Sequence, residues 1–159
     1  MNLQPEIKTL APKTLVGICR DMSMTKDETG LLWRNFMPQF KPLNGDQQHD
    51  LFSLQDYPEN YFTSFAPDNT FTKWAAVELT NNIKIPPDFK QLDFTGGLYA
   101  MFHYKGLSSD KRIFQYIYTQ WLPNSEYEID NRPHYELLGE KYKNNDPTSE
   151  ELIFIPIKK

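Results

Sequence analysis

One cysteine, Cys19, occurs in 159 residues, so no disulfide can close within the chain. That scarcity points to a reducing, cytoplasmic setting. With Leu15, Val16, Gly17 and Ile18 before it, Cys19 reads as a small core hydrophobe rather than a reactive thiol. Histidines are few, at positions 49, 103 and 134, and none stands three or four residues from another as a helical metal site needs. There are only seven glycines, and Gly96, Gly97 and Gly106 form neither a dinucleotide fingerprint nor a phosphate loop. No G-x-S-x-G elbow is present. Positive charge is not in surplus either: the formal charge of -4 gives no general attraction to nucleic acid. No apolar run is long enough for a bilayer span, and the first six residues lack the basic and apolar blocks of a secretory signal. These gaps predict no metal, no cofactor, no membrane and no direct nucleic-acid partner.

What the chain has in quantity is rings. Aromatics make up 14% of it, with 11 Phe, 9 Tyr and 3 Trp. Such side chains fill a core or wall a pocket while keeping a polar edge wet. The length suits one domain, read as 1–159 with no DNA-binding segment left over.

Two stretches echo each other, Arg34-Asn35-Phe36-Met37-Pro38 and Thr119-Gln120-Trp121-Leu122-Pro123. Around each, the apolar pattern reads strand, helix, strand, strand. In the first half, Thr14 to Arg20 is β-leaning, and Thr25 with Glu28 three residues on fits a capping box. Leu32, Phe36 and Phe40 then recur at helical spacing. Pro38 is expected to end or kink that helix near Met37. Leu51 to Tyr57 and Trp74 to Leu79 follow as strands, with a polar loop from Glu59 to Thr70 between them. In the second half, Leu98 to Tyr104 alternates as a strand, Ser108 and Asp110 suit a helix start, and Ile113, Phe114, Ile117 and Trp121 form a buried stripe. His134–Leu138 and Leu152–Ile157 complete the pattern. The fold class is α+β: duplicated β-α-β-β halves, roughly 5–82 and 92–158, with a cleft where they meet.

Two carboxylates interrupt apolar strands, Glu78 and Glu136. Glu78 suits a half-exposed strand as well as a site. Glu136 stands among Tyr127, Tyr135 and Tyr142, in a strand context that disfavours Glu. A carboxylate in an aromatic box suits an organic cation, because ring faces add cation–π attraction to the ion pair. Partly desolvated, it could also serve as a general base on water.

The segments Gly97 to Gly106, Ile117 to Pro123, Tyr127-Glu128, Arg132-Pro133-His134-Tyr135-Glu136, Asp146-Pro147 and Ile153 to Ile157 together resemble the GyrI-like small-molecule-binding domain. This is the effector-binding domain of many AraC- and MerR-type transcription regulators, and it also occurs alone in a gyrase-inhibitor protein. Leu32 to Phe36 and Trp74 to Thr80 resemble it more loosely. The resemblance implies a curved antiparallel sheet, two main helices and an aromatic pocket between the halves. It also implies that Glu136 contacts hydrophobic or cationic ligands. The expected wall is Trp33, Phe36, Trp74, Tyr99, Trp121 and Tyr135. Three readings stay open: a stand-alone binding module linked to transcription regulation or drug and toxin response, a metal-free hydrolase of cyclopropane-type genotoxins using Glu136, and a protein that touches gyrase or a regulator.

Overall fold

The computed structural model describes residues 3–45 and 47–159. Its elements run β1 (Glu6–Leu10), β2 (Lys13–Met22), α1 (Thr29–Asn44), β3 (Leu51–Asp56), β4 (Phe71–Glu78), β5 (Lys90–Phe94) and β6 (Gly97–Lys105). Then come α2 (Arg112–Tyr116, widening into a π turn over Ile117–Trp121), β7 (Glu128–Ile129), β8 (His134–Leu138) and β9 (Glu150–Lys158). Among the described residues, no helix is long and apolar enough to cross a membrane.

The strands lie antiparallel in the order β1-β6-β9-β8-β3-β4-β2-β5, with β7 pairing only with β9. This order is internally symmetric. One half contributes β2-α1-β3-β4, the other β6-α2-β8-β9, and they meet where β3 pairs with β8. The outermost strands are exchanged: β1 pairs with β6 of the other half, and β5 with β2. The sequence pattern misses β1, β5 and β7, which are short and largely exposed and so carry little apolar signal.

Covalent connection curls the sheet. Only Ala11 and Pro12 separate β1 from β2, and only Thr95 and Gly96 separate β5 from β6, yet each of these pairs is split between opposite ends of the strand order. The ends must therefore come together. Gly96 takes a positive φ of 74° there, and a Cβ on it would stand 2.4 Å from the Leu10 carbonyl oxygen. The enclosed face packs on itself through Leu15, Phe52, Trp74, Phe94, Tyr99, Tyr135 and Phe154, all from strands. Tyr135 stacks on Phe154 at 4.5 Å, and Phe94 meets Tyr99 at 5.7 Å.

The other face carries the helices. Leu32, Phe36 and Phe40 of α1 pack on Val16, Ala75 and Val77 of β2 and β4. Ile113 and Ile117 pack on Ala100, Phe102, Ile153 and Ile155 of β6 and β9. Each helix covers the outer strands of its own half, so the central pair β3 and β8 is left between them. That gap holds the site.

The two helices correct three local expectations. Helix α1 gives the first. It runs through Pro38 and Pro42 to Asn44 instead of stopping near Met37. Both prolines lie on the exposed side, where the carbonyls they leave without a donor can reach water, while Phe36 and Phe40 hold the helix to the sheet. Nor is Thr25–Glu28 a capping box. Thr25 Oγ1 donates to Asp68 Oδ1 at 2.6 Å, Glu28 pairs with Arg20, and it is Asp27 Oδ1 that accepts from the Thr29 amide. Likewise α2 begins at Arg112, whose amide donates to Asp110 Oδ1, while Ser108 Oγ donates to the Tyr142 hydroxyl.

Pro38→Ala should stabilise the protein. Restoring a helical hydrogen bond and removing ring crowding is worth up to about 3 kcal/mol, against about 1 kcal/mol lost because alanine loosens the unfolded chain. A net gain of about 1–2 kcal/mol in urea unfolding is expected.

Candidate functional site

Strand alternation decides which side chains reach the gap between the helices. Gln55 lies opposite Lys73 on one side and His134 on the other, and Ser53 lies opposite Glu136. Glu136 is itself opposite Ile153. Glu151 stands two residues before Ile153, so it shares that face as a diagonal neighbour of Glu136, at the roughly 7–8 Å typical of such pairs, with Cβ atoms somewhat closer. Lys73, Ser53, Gln55, Glu136 and Glu151 thus line up across β4, β3, β8 and β9.

Above them is a cleft of about 1130 Å³. Trp33 and Met37 of α1 form one wall, and Lys111 and Phe114 the other. Ser53, Lys73, Glu136 and Glu151 contribute to its lining, and Tyr142 stands at the β8–β9 loop. Beside it lies a cluster of rings. Tyr57 and Phe62 pack on His134 at 4.9 and 5.4 Å, and the Tyr118 hydroxyl is 3.1 Å from His134 Nδ1. Burial, with a smaller push from Arg132, lowers the His134 pKa to about 3, so its ring is neutral.

Gln55 ties the charges together. With its amide oriented by its partners, Nε2 donates to Glu136 Oε2 at 3.0 Å and to the His134 carbonyl at 3.2 Å, while Oε1 accepts from Lys73 Nζ at 3.1 Å. Glu136 is surrounded by protein but keeps some accessible surface where it faces the cleft. Burial pushes its carboxyl above the ordinary value, and Lys73, Lys111 and the Gln55 amide oppose that only in part. Burial lowers the Lys73 ammonium, with Glu136 acting against it. Glu151 is pushed up to about 7, first by burial and then by the Glu136 charge. Among the described residues its side chain makes no hydrogen bond or ion pair. The arrangement can hold a cation against Glu136, and it can store a proton near neutrality.

The structure brings two of the expected site residues to this cleft, Glu136 and Trp33. Phe36 sits behind Trp33, wholly buried and stacked on Phe40 and Phe89. Trp121 packs edge-on against Phe102 and stacks on Tyr127, away from the lining. Trp74, Tyr99 and Tyr135 belong to the enclosed face of the sheet, so the expected wall needs correcting there. Period-two alternation is the reason: Trp74 follows Lys73, and Tyr135 precedes Glu136, so each ring points away from its cleft-facing neighbour. Tyr99 is an anchor, its hydroxyl donating to the Pro133 carbonyl at 2.8 Å. Arg132, stacked over Tyr99, donates to the carbonyls of Gly96, Leu98 and Ile157, which fixes the start of β8 and hence the aim of Glu136. Glu78 is exposed. The sequence reading misses Lys73, Gln55, Glu151 and the cluster of Tyr57, Phe62 and Tyr118. Tyr61, Phe62 and Phe65 lie in a segment read as a polar loop, and their density was the available signal. Among the described residues, no three His, Cys, Asp or Glu side chains gather as metal ligands.

A family model described as GyrI-like small molecule binding domain matches residues 3–158. No curated protein matches the chain in sequence. Among solved structures, a candidate bacterial transcription regulation protein from Staphylococcus aureus MU50 is 18% identical, with a TM-score of 0.65 over 99% of this chain and 100% of its own. SAV2435, solved bound to tetraphenylphosphonium, is 17% identical with a TM-score of 0.64, covering 98% of this chain and 94% of its own. A hydrolase encoded by lin2189 of Listeria innocua is 12% identical with a TM-score of 0.61, covering 98% and 92%. At these identities the likeness is one of fold.

The raised carboxyl of Glu151 has a signature in stability. Between its unfolded value of about 4.3 and its folded value of about 7, the folded chain holds a proton that the unfolded chain has released. Stability contributed by this group therefore falls as pH rises through that window. Glu151→Gln, compared with wild type by urea unfolding at pH about 4.5 and about 7.5, should gain in relative stability at the higher pH.

Proposed function

The chain belongs to the GyrI-like small-molecule-binding domain family, and on that premise we propose that its inter-helix cleft captures a flat, apolar, cationic organic molecule. Glu136 is the counter-charge. Trp33, Met37 and Phe114 are the surfaces against which the apolar frame lies. The observation that carries this reading is the position of Glu136, half-buried at the seam of the two halves and facing a cleft with rings on both helices.

The energetics favour a weakly hydrated cation. Burial makes the Glu136 carboxylate costly, and Lys73, Lys111 and the Gln55 amide relieve that cost only in part. A cation arriving in the cleft pairs with the charge directly and loses little hydration of its own. The Trp33 ring adds attraction worth about 0.5–2 kcal/mol where it is desolvated. SAV2435, of the same fold, was solved with such a cation. Likeness to a regulation protein makes ligand sensing or sequestration in a drug or toxin response the fitting context.

A second reading has one observation in its favour. The two carboxyls of Glu136 and Glu151 are both raised, a state that suits general acid–base work on water held beside a strained electrophile. A Listeria innocua hydrolase shares the fold. Product formation from a cyclopropane-bearing electrophile, lost in Glu136→Gln, would separate hydrolysis from holding. The gyrase-interacting reading gains nothing from the geometry of the cleft.

Titration with tetraphenylphosphonium, followed by tryptophan fluorescence, tests the primary reading. Wild type should bind saturably, and Glu136→Gln should bind about tenfold or more weakly, as expected for loss of a charged contact of about 1.5–3 kcal/mol. Equal affinity in the two proteins would remove Glu136 from ligand binding.

A further inference from the structure

Two acceptors in the cleft differ in how they are satisfied. Glu136 Oε2 already accepts from the Gln55 amide. The Glu151 carboxyl, on the same face of the next strand, accepts from nothing among the described residues. A mostly buried carboxylate without donors is costly, and a ligand that brings N–H groups removes that cost. A quaternary onium brings charge but no donor.

We infer that Glu151 is a second recognition group, and that the cleft selects monocations carrying several N–H donors on an aromatic frame, such as aryl amidines, over quaternary onium ions of the same shape. The inference rests on the cation-binding reading of the cleft and adds the chemistry of the cationic head. Spacing supports it. Diagonal neighbours across an antiparallel pair stand roughly 7–8 Å apart, and somewhat less at Cβ, so their carboxyls can converge on the two ends of one planar head. Charge supports it as well, because a planar amidinium matches carboxylate oxygens in a way a spherical charge does not. The surroundings of Glu151 are mixed. Glu136 faces it from β8, Lys73 from β4, Lys111 from the approach to α2 and Tyr104 from β6. Arg34 and Lys41 of α1 and His49 before β3, with Glu140 and Tyr142 of the β8–β9 loop, complete the charged and titratable lining. Rising pH leaves Glu151 charged and so favours a cation. Lys73, whose ammonium is lowered by burial, acts in the same direction at higher pH, so only a variant of Glu151 separates the two.

A matched pair of ligands tests this by calorimetry: para-phenylbenzamidine and para-phenyl-trimethylanilinium, which share frame and charge. Wild type should bind the amidine about tenfold more tightly than the onium at pH about 8. That preference should shrink at pH about 6, where Glu151 is mostly protonated. Glu151→Gln should lose about tenfold for the amidine, keep its onium affinity within about twofold, and show a flatter pH response. Should that variant unfold, Glu151→Asp, which keeps the charge but withdraws it by one methylene, should weaken the amidine several-fold and spare the onium. No amidine preference in wild type, or equal loss of both ligands in the Glu151 variant, overturns the inference while leaving onium capture by Glu136 intact. Binding of neither ligand overturns it together with the reading it rests on.

Discussion

The candidate site depends on one packing constraint: each helix covers the outer strands of its own half, and among the described residues nothing helical covers the central seam. Phe36 needs Ala75 and Val77 beneath it, and Ile117 needs Phe102 and Ile153. Once those contacts are made, β3 and β8 lie between the two helices with a space above them too wide for their side chains to fill. A seam of that kind tolerates polar residues, because one side stays in reach of solvent or ligand. Ser53, Gln55, His134 and Glu136 occupy it.

Polar residues at a seam must still be reconciled with one another, and Gln55 does this. It lies opposite Lys73 and His134 in register, and its amide joins the ammonium, a backbone carbonyl and the Glu136 carboxylate. Among the described residues the Glu136 carboxylate has no direct ion pair, and the Gln55 amide stands between it and Lys73. Glu151 receives no such help. Its raised pKa comes from burial first and from the nearby Glu136 charge second.

The second support is remote. Arg132, with donors to three carbonyls and an ion pair to Asp130, binds the turn before β6, the end of β9 and the approach to β8 into one unit. Tyr99 completes it by bonding to Pro133. Aromatic residues that look like pocket walls in sequence are therefore the frame that aims the carboxylate. The curl of the sheet, forced by the two-residue links β1–β2 and β5–β6, encloses that frame and leaves the opposite face to the helices and the cleft.

The sequence by itself determined the periodicities: helical spacing at Leu32, Phe36 and Phe40, strand alternation from Leu98 to Tyr104, and a doubled pattern that made an α+β fold with a central cleft. It also singled out Glu136, because a carboxylate in an apolar strand among tyrosines is locally unfavourable and so asks for a reason. Alternation alone was enough to say that Tyr135 and Glu136 cannot face the same space. Which of the two faces was the cleft, only the tertiary structure decided. Both faces of β4 and β8 are apolar enough to be core, and the choice was made by long-range closure of the sheet around one of them. Lys73, Gln55 and Glu151 were silent for the same reason: each is ordinary on its own strand. Their meaning comes from register across four strands, which is set by contacts far apart along the chain.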